Sequence, residues 1–211
     1  MASNGSDNVR NVLIWAALIT AIVVPIAAAA ASPLLAWRQP VYIVAGFAGV
    51  VAMVLLLVQP LLVGGYLPGL APLRARGLHR WIGSLLVIAV IVHVVGLWIT
   101  SPPDVVDALT VTSPTPFSAW GVIAMWAVFA AALLAALRRR LRVAPLAWRR
   151  AHTTLAMITV AGSVIHALLI QGTMQTQTKV LLCVLVVLLT VSAIVKLRIW
   201  ERRRSARDTR S

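Results

Sequence analysis

The chain has 211 residues, 61% of them hydrophobic, and a mean hydropathy of +0.94. A soluble domain carries roughly 45–50% apolar residues, so a soluble globular enzyme is excluded and an all-α, polytopic membrane protein is expected. Nineteen Lys and Arg against five Asp and Glu leave a net charge of +14. The arginines sit in short segments between apolar runs, the habit of cytoplasmic loops rather than of a nucleic-acid surface, so the expected partner is membrane lipid and no nucleic acid.

Six apolar runs are long enough to cross a bilayer, at about 12–32, 41–63, 80–99, 119–137, 152–171 and 179–198. Residues 1–11 form a polar segment before them. Its sequence with the first run, "MASNGSDNVRNVLIWAALITAIVVPIAAAAASP", admits two readings, a retained first helix or a cleaved signal. The run exceeds a usual signal core, which favours the helix. The domain division is then a cytoplasmic segment 1–11, a six-helix transmembrane region 12–198 and a basic tail 199–211, expected to be irregular.

The loops alternate in charge. Arg74, Arg76 and Arg80 lie between the second and third runs, and six arginines from Arg138 to Arg150 lie between the fourth and fifth. A further basic group follows the sixth run. The other side holds Arg38 and Lys179 with Asp104 and Asp107. This asymmetry predicts cytoplasmic N- and C-termini, and the membrane expected is a bacterial inner (plasma) membrane. The outer segment 101–118, "SPPDVVDALTVTSPTPFS", is rich in turn residues and is expected to be irregular. Tryptophans near the run ends, among them Trp81, Trp98, Trp120 and Trp148, fit an interfacial belt. The lone cysteine, Cys183, lies in an apolar run as a packing residue, and there is no Cys-x-x-Cys-His for covalent haem attachment.

All four histidines, His79, His93, His152 and His166, fall on the third and fifth runs, as two His-x13-His pairs. Fourteen residues are nearly four helical turns, so each pair shares one helix face, about 21 Å apart along the axis. The two runs cross in the same direction, which sets His79 level with His152 and His93 level with His166. Buried imidazoles need partners, and ionisable groups inside a membrane usually mark function. Histidine is a common axial ligand of haem iron. Small residues near the ligands, Gly83 on the third run and Gly162 on the fifth, leave room for a flat macrocycle. Helix packing through small residues is the competing reading of those glycines. Zinc fits poorly, because two histidines supply too few ligands for a tetrahedral site. The expected architecture is a six-helix bundle enclosing two stacked b-type haems. A haem-free transporter that uses the histidines for proton transfer is the alternative, and it predicts a colourless protein.

The segments "LHRWIGSLLVIAVIVH" (78–93) and "AHTTLAMITVAGSVIH" (151–166) make the chain resemble the ferric reductase-like transmembrane domain family. That family includes the membrane domains of NADPH oxidases and the haem subunit of the bacterial methionine sulfoxide reductase system. The resemblance covers about residues 41–198. It implies a membrane cytochrome b that carries electrons from the cytoplasmic pair, His79 and His152, to the outer pair, His93 and His166. The acceptor lies outside, such as a ferric complex. Relatives often continue into a flavin- and nicotinamide-binding domain. No Gly-x-Gly-x-x-Gly fingerprint occurs here, so a cytoplasmic flavin reductase, with its own flavin, or a quinol is the expected donor. In a second reading the chain is the haem-bearing anchor and electron donor of a separate periplasmic oxidoreductase, such as a methionine sulfoxide reductase. Lys179 and Arg38 are the only cations available to haem propionates on the outer side. Arg80, Arg149 and Arg150 could serve on the inner side, though the topological role of such arginines is the stronger reading of any one of them.

Overall fold

The computed structural model describes residues 3–172 and 174–208. It contains α1 (Ser3–Ala30), α2 (Pro40–Val63), α3 (Pro72–Thr100), α4 (Pro102–Leu109), α5 (Pro116–Leu137), α6 (Pro145–Leu169) and α7 (Thr176–Asp208), with no strand among the described residues. Six of these helices, all but α4, are long and apolar enough to cross a membrane. The 24 residues of α2 reach about 36 Å at 1.5 Å per residue, more than the roughly 30 Å hydrocarbon thickness of a bilayer. The chain is an all-helical, polytopic integral membrane protein.

Five helices, α2 to α6, open on a proline in their first turn. Proline there has its φ already helical, and its missing N–H would have had no partner inside the helix. The helices therefore begin before the apolar runs do. The third span starts at Pro72 rather than near 80, and the fifth at Pro145 rather than near 152. The arginines in between are helical, not in loops.

The outer segment 101–118 departs from expectation in the same way. Pro102 and Pro103 open the eight-residue helix α4, with Asp104 in its first turn, where a carboxylate favours the helix dipole. Thr110 closes it, its Oγ1 donating to the Val106 carbonyl at 2.8 Å. The tail expected to be irregular from 199 instead continues α7 to Asp208; residues 209–211 lie outside the described part.

Two helical hairpins dominate the packing, α2 against α3 and α5 against α6, and α7 bridges α2 and α6. Small residues make the hairpin seams close. A Cβ on Gly96 of α3 would stand 2.7 Å from the Ala45 Cβ of α2, and one on Gly162 of α6 would stand 2.9 Å from the Trp120 carbonyl of α5. Met53, Leu57, Leu86, Val128, Val160, Leu182 and Val186 form the central core, which Cys183 joins as a buried packing residue. α1 lies against α2 and α7.

Lysines fasten α7 near both membrane faces. Lys179 Nζ donates to the carbonyl of Ile170, just past the end of α6, at 2.8 Å, and Lys196 Nζ donates to the carbonyl of Gly64, just past the end of α2. The Lys196 ammonium also lies over the Tyr66 ring, 4.5 Å from its centroid. Cations suit helix C-termini, where carbonyls lack intrahelical donors.

Candidate functional site

α3 and α6 carry their histidines in the same register. His79 lies seven residues after Pro72 and His152 seven after Pro145, so each sits two turns inside its helix. His93 and His166 follow fourteen residues on. The register brings all four together as two pairs across the space between α3 and α6. The rings of His79 and His152 are 6.2 Å apart between centroids, and those of His93 and His166 are 6.4 Å apart. All four side chains are half-buried.

These spacings are a test of what fits between the rings. A metal–imidazole nitrogen bond is about 2.0–2.1 Å, and the nitrogen lies about 1.1 Å from the ring centre, so two imidazoles trans on one metal have centroids about 6.3 Å apart. Both pairs meet that value. A hydrogen bond between the rings would need a shorter separation, while an edge-to-face ring contact falls in the same range. No group of three or more His, Cys, Asp or Glu able to hold a metal occurs among the described residues. A bare ion would therefore be under-ligated. A haem iron, already held by its macrocycle, would need only the two imidazoles that each pair offers.

The outer pair has a fixed tautomer. His93 Nδ1 lies 2.7 Å from the Ala45 carbonyl and His166 Nδ1 lies 2.8 Å from the Phe117 carbonyl. A carbonyl can only accept, so each Nδ1 carries the proton and each Nε2 keeps its lone pair for a metal. At the inner pair, His79 Nδ1 and His152 Nδ1 are buried without a hydrogen-bond partner. Trp148 stacks on His152 with planes 9° apart and centroids 5.2 Å apart, and the Arg138 guanidinium lies over the indole, 4.3 Å from its centroid. Trp148, one of the tryptophans expected in the interfacial belt, forms a wall of the inner pair. Trp81 and Trp98 are exposed, as a belt requires.

The two glycines singled out from sequence are placed differently from the ligands. Gly162 is buried against α5, where a Cβ would meet Trp120 and Ala124, so the space beside it is taken by the neighbouring helix. Gly83 faces Gln59 of α2, whose Nε2 would lie 3.4 Å from a Cβ there. Both positions serve the hairpin seams. Lys179 is buried with its ammonium on Ile170, and Arg38 lies over the Tyr42 ring. Arg80 and Arg150 are exposed beside the inner histidines on their own helices.

Sequence reasoning missed Ala45, Phe117, Gly49 and Gly121. Gly49 and Gly121 leave the notches that admit the outer rings, since a Cβ on either would lie within 3.2 Å of imidazole atoms. A faint signal existed, for each glycine lies four residues after the residue whose carbonyl accepts the bond, Ala45 or Phe117. Nothing in a single sequence ties those positions to a histidine more than forty residues away.

The match to known families covers this same region. The ferric reductase like transmembrane component family matches residues 45–163, from Ala45 in α2 to Ser163 in α6. That range holds both hairpins and three of the four histidines, ending just before His166. No match is found among curated proteins or among solved structures. Since the family covers more than half of the chain, the protein belongs to the ferric reductase-like transmembrane family, a membrane electron-transfer component of a kind that generally binds haem.

Proposed function

We propose that the chain is a di-haem cytochrome b that carries electrons from the cytoplasmic side of a bacterial inner membrane to an acceptor on the outer face. The observation that carries this reading is the pair of facing imidazole couples, with ring centroids 6.2 and 6.4 Å apart, which leaves room for one metal ion within each couple. His79 and His152 would hold the inner haem, and His93 and His166 the outer one. The bound haems supply one-electron redox chemistry. The protein's own residues would supply the four imidazoles, orient the outer two through Nδ1, and space the two sites about 21 Å apart along the helices.

The direction follows from charge. The basic segments after α2 and α5 and in the tail favour the cytoplasm. They put the inner couple near a cytoplasmic donor, a flavin reductase or a quinol. On the outer side the acceptor is a ferric complex. Service to a separate periplasmic oxidoreductase is the other outcome to be tested.

The experiment is haem content and reduced-minus-oxidised spectra of the wild type, His79→Ala and His93→Ala. Two b haems in the wild type, with one lost in each variant, are expected. The nearly perpendicular ring planes, 75° and 83°, also predict strongly anisotropic low-spin ferric EPR signals. A haem-free, colourless wild type would overturn the reading in favour of a transporter. Reoxidation of the dithionite-reduced protein by ferric chelates distinguishes direct ferric reduction from service to a partner enzyme.

A further inference from the structure

The two couples share a spacing but differ in what holds their rings. Both outer Nδ1 atoms donate to helix carbonyls, at 2.7 and 2.8 Å. Neither inner Nδ1 finds an acceptor in hydrogen-bond geometry. Yet the same carbonyls recur one level down. Gln59 and Ala131, fourteen residues after Ala45 and Phe117, also turn carbonyls toward His79 and His152 and interact with them, but outside the distance or alignment of a well-formed hydrogen bond.

What admits the outer rings lies at the position four residues further along. In an α-helix the carbonyl of residue i accepts the N–H of residue i+4, so the side chain at i+4 flanks any second donor. At the outer level those residues are Gly49 and Gly121. A Cβ on Gly121 would stand 2.7 Å from His166 Nδ1 and 2.9 Å from its Cε1; on Gly49 it would stand 3.1 and 3.2 Å from the same atoms of His93. At the inner level the matching residues are Val63 and Ala135, and both carry a Cβ.

We infer that Gly49 and Gly121 are positioning residues that let His93 and His166, but neither inner histidine, bond helix carbonyls through Nδ1, and so set the reduction potential of the outer haem apart from that of the inner. This rests on the di-haem reading above. A donated Nδ1–H makes the imidazole a stronger electron donor through Nε2. Stronger donation favours ferric over ferrous iron and lowers the potential of that haem. Neither glycine touches the haem iron; each acts through its histidine.

The test is optical potentiometry of the full-length holoprotein, with the two components assigned by His79→Ala and His93→Ala. Gly121→Ala is expected to raise the outer component and leave the inner one in place, at two haems per chain. Gly49→Ala shifts it the same way but less, because its contact is looser. Ala135→Gly is the reciprocal variant at the matching inner position, and it lowers the inner component alone. Retention of both haems with no shift, or equal movement of both components, overturns the inference and leaves the di-haem reading standing. If Gly121→Ala loses haem, Ala135→Gly decides, and an unmoved inner component overturns the inference. A wild type without haem removes the reading beneath it, and the inference falls with that reading.

Discussion

Gly162→Ala separates packing from cofactor contact at a residue that sequence alone left open. Its added Cβ would lie 2.9 Å from the Trp120 carbonyl oxygen, 3.0 Å from the Ala124 Cβ and 3.2 Å from the Ala124 nitrogen. Carbon atoms rest about 3.5–4.0 Å apart, so α5 must retreat by about half an ångström or more. Two of the three obstacles are backbone atoms, which no rotamer change can move aside. Overpacking of this kind costs about 1–3 kcal/mol. Alanine also gains up to about 1 kcal/mol over glycine in helix propensity, which masks part of the loss. Gly77→Ala supplies the correction, because Gly77 lies in α3 with nothing within 4 Å of its would-be Cβ. It gains the propensity and meets no obstacle. The difference between the two variants is then the packing cost itself, about 1–3 kcal/mol, or roughly tenfold in the unfolding equilibrium per 1.4 kcal/mol. Reversible unfolding in mixed micelles with rising SDS, followed by circular dichroism, measures it. Equal stability of Gly162→Ala and Gly77→Ala would refute the close α5–α6 seam and return Gly162 to the cofactor site.

Trp148→Ala removes the plane that His152 stacks on, an aromatic contact worth about 0.5–1.5 kcal/mol beyond its buried area. It is expected to alter the EPR signal of the inner couple while sparing the outer one, with Trp148→Phe restoring most of the wild-type signal; an unchanged signal in the alanine variant would show that the stack does not orient the ligand. Lys179→Met removes the donor to the Ile170 carbonyl, and the lost charged hydrogen bond costs about 1.5–3 kcal/mol. Faster amide hydrogen exchange over residues 167–170 is the expected result, and protection equal to the wild type would show that this bond does not hold the end of α6.

The sequence by itself determined the class, the span count and the histidine register. Apolar runs of bilayer length leave few folds available, since backbone polar groups in hydrocarbon must be satisfied within helices. A fourteen-residue spacing places two imidazoles on one helix face whatever the tertiary arrangement. The helix starts at Pro72 and Pro145 were also legible, but a reading guided by hydropathy passes over prolines that open helices ahead of the apolar run. For the same reason α4 was taken for irregular chain.

Only the tertiary structure decided which atoms surround those imidazoles. The partner of His93 is a carbonyl on α2 and that of His166 a carbonyl on α5, each admitted by a glycine on the same neighbouring helix. The plane of His152 is faced by Trp148 from its own helix, under Arg138 from the end of α5. Gly162 has the composition of a cofactor contact and the position of a seam. Local sequence carries the period of a helix but not the rotation of that helix against its neighbours. It is that rotation which separates a glycine facing a ligand from one facing a backbone.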